Sequence, residues 1–146
     1  MRIVVGSDHA GLKLKTKVRE HLEAGGHVVE DVGTYTPERT DYPRYAHRVA
    51  RAVASGEADR GVAVCGTGQG SCMAVNKFRG VRGALVWDEY TARYSRKHNN
   101  SNVLCLGERV LEEELALRLL DIWLETPFDG GRHVKRVEML DDVDAL

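Results

Sequence analysis

Short apolar runs alternate with amphipathic stretches along the whole chain. The runs at 2–6, 28–32, 61–65, 83–87 and 102–106 are of strand length, and most are apolar at successive positions, as in strands covered on both faces. Between them apolar residues recur at helical spacing: Leu14, Val18 and Leu22, then Ala46, Val49, Ala50 and Val53, then Leu111, Leu115, Leu119 and Ile122. Gly25-Gly26 and Ser55-Gly56 stop the first two helices, and Pro127 follows the last strong one. Repetition of strand then helix predicts an α/β chain with a parallel sheet covered on both faces. No linker or internal repeat interrupts it, so residues 1–146 read as a single domain with a polar tail from about 127.

The third run ends in Cys65 and passes into Gly66-Thr67-Gly68-Gln69-Gly70-Ser71, alternating glycines that open a helix. A buried strand stopping at such a turn aims backbone N–H groups at one spot, and the helix that follows adds the positive end of its dipole. This is a pocket for an anion, with a thiol at its rim. Taken alone, the turn could equally be a packing device and Cys65 a small buried hydrophobe.

At 146 residues the chain can bury roughly two thirds of its unfolded surface, enough for a core without staples. Cys65, Cys72 and Cys105 form an odd set without metal-ligand or disulfide spacing, which points to a reducing, cytoplasmic interior. The amino terminus enters a strand directly, without a secretory leader, and no stretch approaches a membrane span. A net charge of −1 gives no global field for nucleic acid. An anionic ligand therefore needs a local cluster, and Arg132-His133-Val134-Lys135-Arg136 supplies one.

In an open α/β sheet ligands sit beyond the carboxyl ends of the strands. Those ends carry Asp8 and His9, Gly33-Thr34, the Cys65 turn, Trp87-Asp88 and Gly107-Glu108-Arg109. Asp8 could cap the first helix or join an acid/base set with His9 and Cys65. His98 ends a helix, where it could be a dipole partner or a catalytic group. Arg132 and Arg136, four apart after Gly130-Gly131, share a face if that segment is helical and can fork onto phosphate oxygens; a solvated tail is the alternative. Spacing reveals no His/Asp metal triad, and metal hydrolysis is not expected.

Taken together, G-S-D-H-A-G at 6–11, G-T-Y and R-T-D-Y-P at 33–43, C-G-T-G-Q-G at 65–70, N-K-F-R-G-V-R at 76–82, R-K-H-N-N-S-N-V-L at 96–104 and G-G-R-H-V-K-R-V at 130–137 resemble the type B ribose-5-phosphate isomerase family, which also includes the galactose-6-phosphate isomerase subunits. The resemblance spans nearly the whole chain and implies a three-layer α/β/α Rossmann-like fold with a five-stranded parallel sheet. It also implies interconversion of ribose 5-phosphate and ribulose 5-phosphate through a cis-enediolate. Cys65 would carry the proton between C2 and C1, Thr67 with the amides of Gly66, Gly68 and Gly70 would hold the enediolate oxygen, and Asp8 would relay protons among the sugar oxygens. His98, with Tyr42 nearby, would open the furanose ring, and Asn99 would bind sugar hydroxyls. His9, Arg109, Arg132 and Arg136 would grip the phosphate. Neither metal nor organic cofactor is implied. The expected assembly is a homodimer or homotetramer with shared active sites, in which a neighbouring chain supplies part of the group containing His98 and Arg109.

A branch of the family uses a glutamate near the loop as base, but here Cys65 is present and Ala74 and Val75 occupy the early helix. The galactose-6-phosphate subunits lack the ring-opening histidine that His98 supplies. Gln69 and Cys72 have no functional account. Two further readings stay open: isomerisation of allose 6-phosphate or another hexose 6-phosphate, and a non-catalytic phosphosugar sensor, which would need neither Cys65 nor His98.

Overall fold

The computed structural model describes residues 1–144; positions 145 and 146 of the expected 1–146 unit lie outside the described residues. Its strands are β1 (Arg2–Ser7), β2 (Val28–Asp31), β3 (Arg60–Cys65), β4 (Gly83–Leu85) and β5 (Val103–Gly107). All pair in parallel, in the order β2-β1-β3-β5-β4. The helices are α1 (Leu12–Ala24), α2 (Tyr42–Ala54), α3 (Gln69–Val75), α4 (Glu89–Lys97), α5 (Glu113–Glu125) and α6 (His133–Asp141), and a 3-10 turn at His9–Gly11 leads into α1. This is the three-layer α/β/α Rossmann-like arrangement. Among the described residues no helix is long and apolar enough to cross a membrane.

The alternation of side chains along each strand divides the core in two. Ile3, Val5, Val62, Val64, Leu104 and Leu106 face the layer of α1, α4 and α5, where Leu14, Val18, Ala92, Leu119 and Trp123 cover them. Val4, Ala63, Val103 and Cys105 face α2 and α3, under Ala46, Val49, Ala50 and Val75. Because both faces are covered, the central strands can be apolar at every position, which is why they read as continuous runs.

Most strand bounds agree with the sequence pattern to within a residue, and two larger departures have a physical cause. The fourth strand stops at Leu85 rather than 87, because Asp88 caps α4: its Oδ1 accepts from Thr91 N at 2.7 Å while Thr91 Oγ1 accepts from Asp88 N, a closed capping box. The polar tail holds α6, which buries His133 and Val137 and is clamped by Arg82, whose Nη1 donates to both oxygens of Asp141 at 2.9 and 2.8 Å.

One buried charge ties α1 to the sheet edge. Lys15 is 1% exposed, and its Nζ donates to Asp31 Oδ1 at 2.7 Å and to the Thr34 carbonyl at 2.6 Å. Removing one partner strands the other in a poor solvent for charge. Lys15→Met should lower unfolding free energy by about 3–5 kcal/mol in urea titrations. Lys15→Met combined with Asp31→Asn should recover part of that loss; a single variant as stable as the parent would mean the pair has no such role.

Candidate active site

The connections out of β1 and into β3 cover opposite faces, so these neighbouring strands open a crevice where their carboxyl ends part. In register Ser7 lies opposite Val64, which sends Asp8 and Cys65 out of adjacent strands at the same level. The glycine turn at 66–70 is pressed against the end of β5. A Cβ on Gly107 would lie 2.6 Å from the Thr67 carbonyl, and one on Gly68, whose φ is +80°, would lie 2.9 Å from the Leu106 carbonyl carbon. Only glycine allows the two backbones to meet there. Across the same seam Glu108 N donates to Cys65 O and Arg109 N to Gly66 O, both at 3.0 Å.

Within this frame Cys65 is 5% exposed and its Sγ accepts a hydrogen bond from Gly68 N at 3.2 Å. Thr67 Oγ1 accepts from Gln69 N at 3.3 Å. The Arg109 guanidinium lies over Gly66, 3.2 Å from where a Cβ would stand, and the Tyr42 ring lies over Gly70 at 2.6 Å by the same measure. Asp8 Oδ1 accepts from Ala10 N at 3.0 Å and Gly11 N at 3.2 Å, so this carboxylate does cap the turn that starts α1. His9 Nδ1 accepts from Thr40 N at 3.2 Å, which leaves Nε2 as its donor. Cys65, Thr67, Gly66, Gly68, Gly70, Asp8, His9, Tyr42 and Arg109 thus form one cluster.

His98, Asn99, Arg132 and Arg136 form another. Helix α4 starts near the carboxyl ends of the strands and runs back to the amino ends, so His98 and Asn99 stand about a strand's length, ~15 Å, from Cys65 in the same chain. The His98 ring meets Tyr94 edge-on at 4.8 Å and stacks on His133 at 4.2 Å with the planes 13° apart. Arg132 is the N-cap of α6 and Arg136 follows one turn later. Burial, then the charges of His98, Arg132 and Arg136, hold the His133 imidazole below its ordinary value, with Asp129 opposing.

A buried cation fixes the turn that carries this second cluster. Arg96 donates to Ser101 O at 2.6 Å, Asn100 Oδ1 at 2.8 Å and Thr126 O at 3.2 Å, and desolvation with the nearby Arg60 and Arg82 lowers its pKa to about 10. Beneath it Trp123 Nε1 donates to Ser101 Oγ at 2.8 Å. A cavity of about 910 Å³ opens beside His98 and Asn99, walled by Phe78, Val81, Leu85, Tyr90 and Tyr94 rather than by the cysteine.

Within one chain, two residues stand apart from His98. Tyr42 stands with Gly70, not with His98, because it opens α2 on the β1–β3 side of the sheet. Arg109 belongs with Cys65 rather than with His98, because the loop after β5 is stitched to the loop after β3. Sequence reasoning also passed over His133 and Glu108. His133 sits within the basic run, but nothing local shows that it stacks on His98. The Glu108 carboxylate accepts from Leu14 N at 2.9 Å and so caps α1 from 94 residues away, supplying the side chain that Gly11 lacks. Cys72, without a role on the surface of the site, has its pKa drawn down to about 7, first by the Cys105 thiol and then by the Leu85 backbone and Asn76, against burial; Cys105 is pushed up by the same contact and by full burial.

Comparison with known proteins places this geometry. Residues 3–140 match the Ribose/Galactose Isomerase family. Ribose-5-phosphate isomerase B of Escherichia coli is 48% identical over 139 residues, 95% of this chain and 93% of that one. The structure of Clostridium thermocellum ribose-5-phosphate isomerase B superposes with a TM-score of 0.97 at 46% identity, covering 99% of this chain and 97% of the other. That of ribose-5-phosphate isomerase B from Mycoplasma genitalium with bound ribulose-5-phosphate gives 0.93 at 41% identity, covering 96% and 93%. The family match over residues 3–140 and 48% identity across nearly the full length of both chains show that the chain belongs to the ribose/galactose isomerase family.

Proposed function

We propose that this chain is an aldose–ketose isomerase that interconverts ribose 5-phosphate and ribulose 5-phosphate through a cis-enediolate, with Cys65 as the proton carrier. The observation that carries this reading is the Cys65 thiol set in hydrogen-bond contact with the amide turn at 66–70. Deprotonating a carbon beside a carbonyl is hard because charge gathers on the oxygen, and preorganised N–H donors there are worth about 3–4 kcal/mol each. The Mycoplasma genitalium relative, which carries ribulose-5-phosphate, supports the pentose phosphate as substrate.

His98 takes the proton of the anomeric hydroxyl and the ring oxygen receives one as the furanose opens. The Cys65 thiolate then removes the proton from C2, the C2–H electron pair forms the C1–C2 double bond, and the C1 carbonyl oxygen becomes the enediolate oxygen. Amides of Gly66, Gly68 and Gly70, with the Thr67 hydroxyl, hold that oxygen. The thiol returns its proton to C1 while the C2 hydroxyl loses its own, with Asp8 relaying protons between the two oxygens. Both bonds that Asp8 accepts fall on Oδ1, which leaves Oδ2 for this work. Asn99 and Tyr42 hold sugar hydroxyls, and His9, Arg109, Arg132 and Arg136 hold the phosphate. All electrons stay within the sugar, so the reaction calls for neither metal nor organic cofactor.

One chain offers the two clusters about 15 Å apart, farther than a five-carbon sugar phosphate reaches with both ends gripped. We therefore infer an active homodimer, or a homotetramer built from it, in which Cys65 of one chain faces His98 of another. The apolar cavity beside His98 and the exposed Met73, Trp87 and Tyr90 suit such a contact. The three free cysteines suit a reducing cytoplasm, and residues 1–146 act as one unit.

Cys65→Ala should keep phosphosugar binding and lower kcat by about 10²–10⁴-fold in an assay on ribose 5-phosphate, with allose 6-phosphate and galactose 6-phosphate alongside to fix the substrate class. Near-parental turnover would make Cys65 a packing residue.

Arg132→Ala or Arg136→Ala should raise KM with the loss of a charge-assisted bond worth about 1.5–3 kcal/mol, and weaken inhibition by inorganic phosphate in parallel. Unchanged KM in both would return this helix to a solvated tail.

Mixing inactive Cys65→Ala with inactive His98→Ala under subunit exchange should restore about a quarter of parental activity, since half the dimers are mixed and each mixed dimer has one intact site. No recovery after demonstrated exchange would place both residues in one chain's pocket.

A further inference from the structure

His98, His133 and Asp129 come from three places, the end of α4, the start of α6 and the loop between α5 and α6, yet their ligand atoms all lie within 4.8 Å of one another. His133 is buried, His98 half-buried and Asp129 exposed. Asp129 is held to the end of α4 by its own N–H, which donates to Lys97 O at 3.0 Å, and Gly130 and Gly131, at φ +66° and +54°, turn the chain so that His133 comes back against it. Two imidazoles, stacked with their planes 13° apart, and a carboxylate gathered within 4.8 Å are a ligand set for a borderline-soft divalent cation rather than for magnesium or calcium.

We propose that His98, His133 and Asp129 form a zinc-binding site whose occupation blocks the isomerase by taking the His98 ring out of proton transfer. The blocking half of the proposal rests on the isomerase reading; the binding half does not. Zinc bonds of 2.0–2.2 Å put tetrahedral ligand atoms about 3.3 Å apart, so the cluster must close by about 1.5 Å. The exposed Asp129 and the half-buried His98 supply that movement, the His98 ring turning out of its stack on His133 so that both imidazoles aim a nitrogen at the ion, while His133 stays packed. Three protein ligands leave a fourth position to water, and the ion sits beside the turn that carries Asn99. Lys97, whose Nζ is 3.8 Å from Asp129 Oδ2, and Arg132 and Arg136 on the neighbouring helix oppose a cation. They make this a site for zinc in excess, not a resident cofactor site.

Cobalt(II) added to the chelator-treated, full-length protein reports the site directly, because N/O coordination in a tetrahedral field gives visible ligand-field bands. Those bands should appear in the parent and in Cys65→Ala, be displaced by zinc, and be lost in His133→Asn and in Asp129→Asn. The exposed Asp129 carries no catalytic role, so Asp129→Asn should isomerise ribose 5-phosphate like the parent when metal is absent. It should need at least about tenfold more zinc for half-inhibition. Absence of cobalt bands, bands that vanish in Cys65→Ala, or equal zinc sensitivity in Asp129→Asn would overturn the proposal. Cobalt binding without zinc inhibition would overturn the block alone. If ribose 5-phosphate is not turned over at all, the spectra still decide the site while the isomerase reading falls.

Discussion

The contact on which the site depends is the one between two backbones, Gly107 at the end of β5 and the Thr67 peptide after β3. A side chain at either glycine would push the strands' ends apart, since the space for a Cβ is 2.6 Å at Gly107 and under 3 Å at Gly68. Once they touch, Glu108 and Arg109 donate their N–H groups to the carbonyls of Cys65 and Gly66. Each bond is individually modest, about 1 kcal/mol net, but together they fix where the amides of the turn point. The same seam carries Arg109 over Gly66 and the Glu108 carboxylate onto the start of α1. The thiol, the glycine turn, Arg109 and the Asp8–His9 turn therefore share one rigid frame.

The opposite end of the sheet is organised by polar groups instead. Arg96, 6% exposed, donates to three oxygens of the surrounding turn and of Thr126, and burial, then its positive neighbours, pull its pKa down to about 10. A buried guanidinium bonded to carbonyl and amide oxygens holds the 98–101 turn in one conformation, because any other would leave the charge unpaired. The His98–His133 stack adds a second restraint, and the Arg82–Asp141 ion pair holds the far end of α6.

These two ends have different physical characters that suit different tasks. The cysteine end offers amide donors in a confined crevice, where a developing oxyanion is stabilised strongly. The histidine end offers ionisable and cationic side chains at a half-open surface, which suits the proton exchange and phosphate binding proposed for it. The proposed pentose phosphate substrate needs both, and one chain keeps them at opposite ends of its strands. That separation gives the proposed assembly a chemical purpose beyond burial of the exposed aromatic surface at Trp87 and Tyr90.

Much of this was legible along the chain, because its signals are local. Strands buried on both faces must be apolar throughout, helices on a sheet must show a stripe, and a glycine turn after a strand must present amides, so five strands, the main helices and the Cys65 turn could be read directly. The end of β4 was misjudged by two residues because a capping box outcompeted sheet pairing at Asp88, and the tail's helix was hidden by its polarity, only His133 and Val137 being buried. What the sequence could not decide is which strand-end loops meet. Arg109 joins Cys65 because β3 and β5 are neighbours, Tyr42 joins Gly70 because α2 lies over that face, and His98 is carried away from both because α4 runs back along the sheet. Likewise Asp129, His133 and His98 converge, and Glu108 caps a helix 94 residues away, only once the chain is folded. Periodicity encodes which face of an element is buried; the partners of that element follow from strand order and crossover, and these belong to the packed structure as a whole.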